Sequence, residues 1–347
     1  MATDLSQTSA PPRRIGVLLC NLGTPDSPEP AAVRRYLAEF LGDRRVVELP
    51  RLLWKPILHG IVLVRRPKES AQKYRKVWIE GEGSPLLVYT QRQATMLRGW
   101  LGEAGVSDVD VQVGMRYGQP GITTALEQWQ RQGIAHMLVV PLYPQYSGTT
   151  TASVVDAVNA WCGRQRNIPA LRIVRDYATD AGYLRALEHS VTRHWQKHGR
   201  PDHLVLSFHG IPQRNVALGD PYAQQCLQTA GLLAQRLNLA PTQYSVTFQS
   251  RFGPAKWLQP YTQPTVEALA RNGIKTIDVL CPGFASDCLE TLEEINMEVR
   301  HAFLANGGRE FRYIPCLNDD PVWIDALRNI VLTNLAGWRT DGASAHM

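Results

Sequence analysis

The sequence predicts an α/β protein built from two similar doubly wound, Rossmann-like domains, and three observations predict it. Short apolar runs alternate with helical patterns along the chain: IGVLLC (15–20), VQVGM (111–115), HMLVV (136–140), HLVLSF (203–208), SVTF (245–248) and TIDVL (276–280). These runs look continuous rather than alternating, as strands buried on both faces of a parallel sheet do. The order of features also repeats. ALEQWQRQGI (125–134) matches TVEALARNGI (265–274), MRYG (115–118) resembles SRFG (250–253), and LLCNLGTP (18–25) parallels VLSFHGIP (205–212), so that Leu22 answers His209.

Composition narrows the class. Of 347 residues, 44% are hydrophobic and 20% charged, enough apolar material for a core in each half. The six cysteines contain no C-x-x-C pair, which argues for a reducing, cytoplasmic setting and against a structural zinc or iron–sulfur site. No uninterrupted apolar run reaches the roughly 18 residues a spanning helix needs. The net charge of +6 is modest and basic residues are not interleaved with aromatics, so nucleic acid is not expected; small anions or an anionic membrane surface suit it better.

Element by element, residues 1–12 are polar and Pro-rich and read as a disordered leader. The first domain is expected over 13–178 and the second over 179–320, with a helix over 321–338 packing back across both. Within the first, LLWKPILHGIVLV (52–64) is unusually apolar for a connection and runs into Arg65 and Arg66. It fits a helix packed on the core or an amphipathic lip over 52–66 that touches a membrane surface.

Ligands of open parallel sheets sit beyond the carboxyl ends of the strands, so chemistry is sought there. His209 closes an apolar strand and precedes a tight Gly-Ile-Pro turn. It is a backbone-bonded core histidine or, at a crevice, an imidazole able to take a proton or bind metal. After the strand TIDVL and the turn CPGFA comes a helical pattern carrying Asp287, Glu290 and Glu294 on one stripe. Asp287 and Glu290 have capping-box spacing, and the three carboxylates equally form a ladder for a divalent cation. The Ser/Thr-rich loop YPQYSGTTTAS (143–153) reads as a plain N-cap or as an anion cradle. No G-x-G-x-x-G follows a first strand, so no nucleotide cofactor is indicated.

NLGTPDSP (21–28), LYPQYSGTTTAS (142–153), SFHGIP (207–212), TFQSRFGPAKWLQPYT (247–262) and CPGFASDCLETLEEI (281–295) resemble segments of ferrochelatases, in ferrochelatase order, across nearly the whole chain. The resemblance implies a chelatase-like fold with four-stranded, mainly parallel sheets, and insertion of Fe²⁺ into protoporphyrin or coproporphyrin to give haem. It implies His209 and Glu290 as catalytic and metal-handling residues, with Glu294 and Asp287 extending the metal row. Leu22, Arg65, Arg66, Ser84, Arg116, Tyr117, Tyr143, Trp257 and Phe284 are implied as porphyrin-binding.

Two departures bear on this. Cys288 stands where animal members carry histidine, and neither the cysteine-rich C-terminal extension nor the loop cysteine (here Gly148) of cluster-bearing members is present, so no [2Fe–2S] cluster is expected. Without that support a monomer is expected. The competing readings are a cobalt or siroheme-type chelatase and a non-catalytic porphyrin or haem carrier.

Overall fold

The computed structural model describes residues 14–338, so the leader expected over 1–12 lies outside the described residues. In order, the elements are β1 (Ile15–Gly23), α1 (Pro30–Gly42), α2 (Arg51–Ile57), a π-helical turn (Leu58–Val62), α3 (Leu63–Val77), α4 (Pro85–Glu103), β2 (Val109–Tyr117), α5 (Ile122–Arg131), β3 (His136–Pro141), α6 (Thr151–Cys162) and β4 (Ala170–Ile173). The second half follows with α7 (Ala181–His198), β5 (His203–His209), α8 (Gln213–Ala217), α9 (Tyr222–Arg236), β6 (Tyr244–Gln249), α10 (Thr262–Arg271), β7 (Thr276–Leu280), a π-helix (Glu290–Val299), α11 (Arg300–Ala305), β8 (Glu310–Tyr313) and α12 (Pro321–Leu335).

Two four-stranded sheets result, ordered β2-β1-β3-β4 and β6-β5-β7-β8, with every pairing parallel. Strand order reverses beside β1 and beside β5, which places the end of each central strand at a crevice. The six apolar runs all become strands because their side chains are covered on both faces; β1 and β5 are buried along almost their whole length. The fourth strands, ALRI (170–173) and EFRY (310–313), are short edges that carry no apolar run. α12 packs against α7, α4 and β3, and its Trp323, Ile324, Leu327 and Val331 are fully buried.

The pairing register makes the repeat quantitative. Leu19 lies beside Val113 and Val140, while Leu206 lies beside Val246 and Leu280. Leu22 and His209, three residues further on, are therefore equivalent, as expected. The expected match of the MRYG and SRFG turns is corrected: Met115 donates its N–H to the carbonyl of Pro120, and its true counterpart Phe248 donates to that of Pro260. The turn after β6 is thus seven residues longer than the turn after β2, and Arg116 corresponds to Gln249.

Candidate active site

The ends of β1 and β5, α1, α3 and the π-helix enclose one cleft of about 560 Å³. Leu22, Tyr36, Arg66, Tyr74, Ser84 and Tyr143 line it from the first half; His209, Trp257, Phe284, Glu290 and Glu294 line it from the second. This size suits a small-molecule site. Three cleft-lining polar atoms, Thr24 Oγ1, Tyr143 OH and Trp257 Nε1, are buried with no hydrogen-bond partner among the described residues. Polar atoms left in that state in an otherwise apolar wall are what a bound ligand satisfies.

His209 ends β5 with its ring between Trp257 and Phe284, each 6.5 Å away between ring centroids. Its Nδ1 lies 2.6 Å from the carbonyl oxygen of Gly210. A carbonyl only accepts, so Nδ1 carries the hydrogen and the lone pair of the neutral ring is on Nε2. Gly210 must be glycine: a Cβ would meet the Gln249 carbonyl at 2.9 Å and the Trp257 indole at 3.1 Å. The loop bearing Trp257 is sewn to the His-Gly-Ile-Pro turn by Gln213 N–H to Lys256 O and Leu258 N–H to Ile211 O, both 2.9 Å.

Opposite His209 stands the π-helix, whose wider backbone bonding is rare and concentrates at functional sites. Glu290, Glu293, Glu294 and Glu298 all reach the cleft. Burial raises the pKa of Glu294, a shift opposed by hydrogen bonds from Ser250 and by the nearby His209. Glu293 is almost wholly buried and is paired with Lys73 (2.9 Å) and Lys76 (3.0 Å) of α3; Lys73 also reaches Glu298 (2.7 Å). Arg66, one helical turn before Ser70, lays its guanidinium over Phe252, 4.7 Å from the ring centroid.

Several expected residues sit elsewhere. Asp287 is not on the cleft wall: its carboxylate accepts from Thr291 Oγ1 (2.9 Å), Asn318 Nδ2 (2.7 Å) and Tyr313 OH. It closes the turn under the π-helix, so neither the capping box with Glu290 nor the three-carboxylate ladder forms. Among the described residues no three His, Cys, Asp or Glu side chains gather as a metal-holding group.

Arg116 and Tyr117 are also behind the wall. Arg116 donates to Asp43 (2.6 Å) and Ser153 Oγ (2.7 Å), and Tyr117 donates to Asp43 (2.8 Å). Burial works against the Asp43 carboxylate, but the hydrogen bonds from Ser153, the Arg45 amide and Tyr117, with Arg116 alongside, outweigh it and hold its pKa low. Arg65 points away to solvent, while Arg66 is half-buried in the cleft. Of the two readings of the 143–153 loop, the anion cradle is filled from within: Asp220 accepts from the Gly148 N–H (2.7 Å) and Ser147 Oγ (2.9 Å).

The family model for ferrochelatase matches residues 14–335, the length of both sheets and the whole cleft. The chain belongs to the ferrochelatase family. Ferrochelatase of Polaromonas sp. is 58% identical over 324 residues, covering 93% of this chain and 88% of that protein. Those of Bordetella pertussis (56% identical, 95% and 90% covered) and Aromatoleum aromaticum (56%, 96% and 91%) are similarly close. Among solved structures, SirB from Bacillus subtilis with Fe³⁺ superposes with a TM-score of 0.52 at 15% identity, covering 93% of this chain and 96% of that one. CbiX, the terminal enzyme for siroheme biosynthesis in denitrifying bacteria, superposes at 0.51 and 13% identity, covering 92% and 100%. At that identity both speak to the fold alone, which is chelatase-like as expected.

Sequence reasoning missed Tyr36 and Tyr74, two buried cleft phenols close enough to Glu290 that its charge helps burial raise their pKa values. Both sit at ordinary core positions of amphipathic helices, so no pattern distinguishes them from packing. Gln249 and Ser250 lie at a strand end, where ligand chemistry is sought, but no pattern in the sequence gives either a role.

Proposed function

We propose that this ferrochelatase-family chain inserts Fe²⁺ into a porphyrin held in the cleft, with His209 taking a pyrrole proton and Glu290, backed by Glu294, handling the metal and the second proton. By reaction class this makes it a lyase. Two N–H protons leave the macrocycle, four nitrogens bind the ion, and no electrons change hands. The observation that carries the reading is the pairing, in one apolar cleft, of an imidazole whose Nε2 lone pair is fixed by the Nδ1 hydrogen bond with carboxylates on a facing helix. A flat macrocycle hides its lone pairs and protons in its own plane. Leu22 on one wall and Trp257 and Phe284 on the other grip and bend it, using binding energy from the rest of the ring. Arg66, with Ser84 and Tyr143 along the same wall, meets the ring's polar periphery.

The reading assigns no iron–sulfur cluster. All six cysteines are free and five of them are buried. We read the protein as a monomer that works in the cytoplasm and receives porphyrin at a membrane surface. Leu52, Leu53, Ile57, Ile61 and Val64 are exposed along the lip, Leu52 by 90%, beside Lys55 and Arg65. No helix among the described residues is long and apolar enough to cross a membrane.

The deciding measurement is zinc insertion into mesoporphyrin by His209→Ala. Turnover should vanish while porphyrin binding, followed by quenching of tryptophan fluorescence, persists. A variant turning over within twofold of the parent protein removes His209 as the base.

A further inference from the structure

Two adjacent residues, Gln249 at the end of β6 and Ser250 just after it, hold the π-helix through the Glu290 backbone carbonyl and the Glu294 carboxylate, and different residue types stand at the equivalent places of the first half. Ser250 donates its backbone N–H to one oxygen of Glu294 (2.7 Å) and its hydroxyl to the other. To do so its backbone takes φ +65°, a left-handed conformation that a non-glycine residue adopts only where its surroundings enforce it. That turn ends the strand: His209 beside Gln249 is the last ladder pair, and Ser250 N–H is freed to point at the carboxylate.

Gln249, buried, donates Nε2 to the carbonyl oxygen of Glu290 at 2.8 Å, the first residue of the π-helix. Its amide cannot turn away, because its Oε1 accepts from Ser207 Oγ at 2.7 Å. Ser207 in turn joins Thr262 (2.8 Å), which donates to Thr247 (3.0 Å), a fully buried hydroxyl chain directly beneath His209. At the equivalent places the first half has Arg116, Cys20, Ile122 and Gly114, and its sheet forms regardless. The polar chain is therefore not what the fold requires.

We propose that Gln249 and Ser250 are positioning residues for iron insertion, a reading that rests on the roles given above to His209 and Glu290. Gln249 sets how far the start of the π-helix stands from His209. Ser250 locks Glu294 in one rotamer with both oxygens oriented, so that the carboxylate meets the incoming ion without reorganising. Because Ser250 acts through Glu294, its effect must disappear when Glu294 is gone.

The test uses Ser250→Gly, which keeps the N–H, removes the hydroxyl and relieves the left-handed backbone, together with Glu294→Gln and the double variant. Zinc and ferrous insertion are measured as kcat, KM for metal and KM for porphyrin, alongside thermal unfolding. Ser250→Gly should unfold no earlier than the parent protein yet lose about threefold to tenfold in kcat/KM for metal, the worth of one hydrogen bond and no more than Glu294→Gln itself loses. KM for porphyrin should stay within about twofold, and adding Ser250→Gly to Glu294→Gln should cost nothing further. Gln249→Leu should show the same split between metal and porphyrin. A Ser250→Gly protein with unchanged metal kinetics, or one whose loss is undiminished in the Glu294→Gln background, overturns the proposal. If Glu294→Gln and His209→Ala are themselves fully active, it is the reading of the site that fails instead.

Discussion

Leu22 and His209 close equivalent central strands, yet one is an apolar wall and the other the proposed base, and the difference lies mostly in what is built beneath them. Under His209 run Ser207, Thr247, Thr262 and Gln249, all buried and bonded to one another. Under Leu22 the same places hold Cys20, Gly114, Ile122 and Arg116. The first half is tight at the place of Thr247, where a Cβ on Gly114 would lie 3.1 Å from both the Ile122 Cα and the Leu18 side chain. The turn that follows differs as well. Seven extra residues after β6 bring Ser250, Phe252 and Trp257 over the cleft, whereas at the end of β2 Arg116 and Tyr117 turn inward onto Asp43. One scaffold thus carries a rigid apolar surface on one side and an oriented polar one on the other, a suitable division for gripping a flat ring while moving its protons.

The sharpest way to break this contrast is to make the two strand ends alike. His209→Leu should lower metal insertion by about 10²–10⁴-fold, the usual worth of a positioned base, and leave porphyrin binding intact in a fluorescence titration. Substantial turnover in that variant would mean the contrast has no chemical meaning.

Glu290→Gln comes next. Because the capping box with Asp287 does not form, this isosteric change should leave the melting temperature nearly unmoved while kcat falls by at least about 100-fold. A fully active variant would remove Glu290 from the chemistry.

Cys20→Ser carries the comparison the other way, placing the hydroxyl of Ser207 where no glutamine receives it. The buried, unpartnered group should cost about 1–3 kcal/mol, read as an earlier denaturant midpoint with unchanged kinetics. No loss of stability would indicate that the first half tolerates the polar chain after all.

The smallest effect concerns Glu294→Gln, expected to raise KM for ferrous iron severalfold with little change in kcat. Its stability has a definite pH dependence. Burial raises the folded-state pKa of Glu294 above its ordinary 4.5, so the folded protein favours the protonated acid. The stabilisation this gives is complete below about 4.5 and is lost as pH rises through the raised value. Glutamine loses nothing there. The melting temperature of the variant relative to the parent should therefore climb from acid to neutral pH, and a flat difference would show that Glu294 is not destabilised by burial.

Local pattern determined much of this protein. Apolar runs and their repetition announced two parallel sheets, because a strand covered on both faces must be apolar along its length. The strand-end position of His209 and the acid-rich segment 287–298 pointed to the cleft for the same topological reason. What sequence spacing could not decide is where a polar side chain finds its partner. Asp287 shares the periodic stripe with Glu290 and Glu294, but Tyr313 and Asn318, more than twenty residues away, take its carboxylate out of the cleft. Arg116 and Tyr117 fit the pattern of cleft residues until Asp43 and Ser153, from two other elements, satisfy them behind the wall. Ser250 looks like any turn residue until its φ and the Glu294 carboxylate are seen together. Burial of apolar groups follows from composition along the chain and so is legible in it. Hydrogen-bond partnership requires two groups at the right distance and angle, and only the packed tertiary structure brings them there.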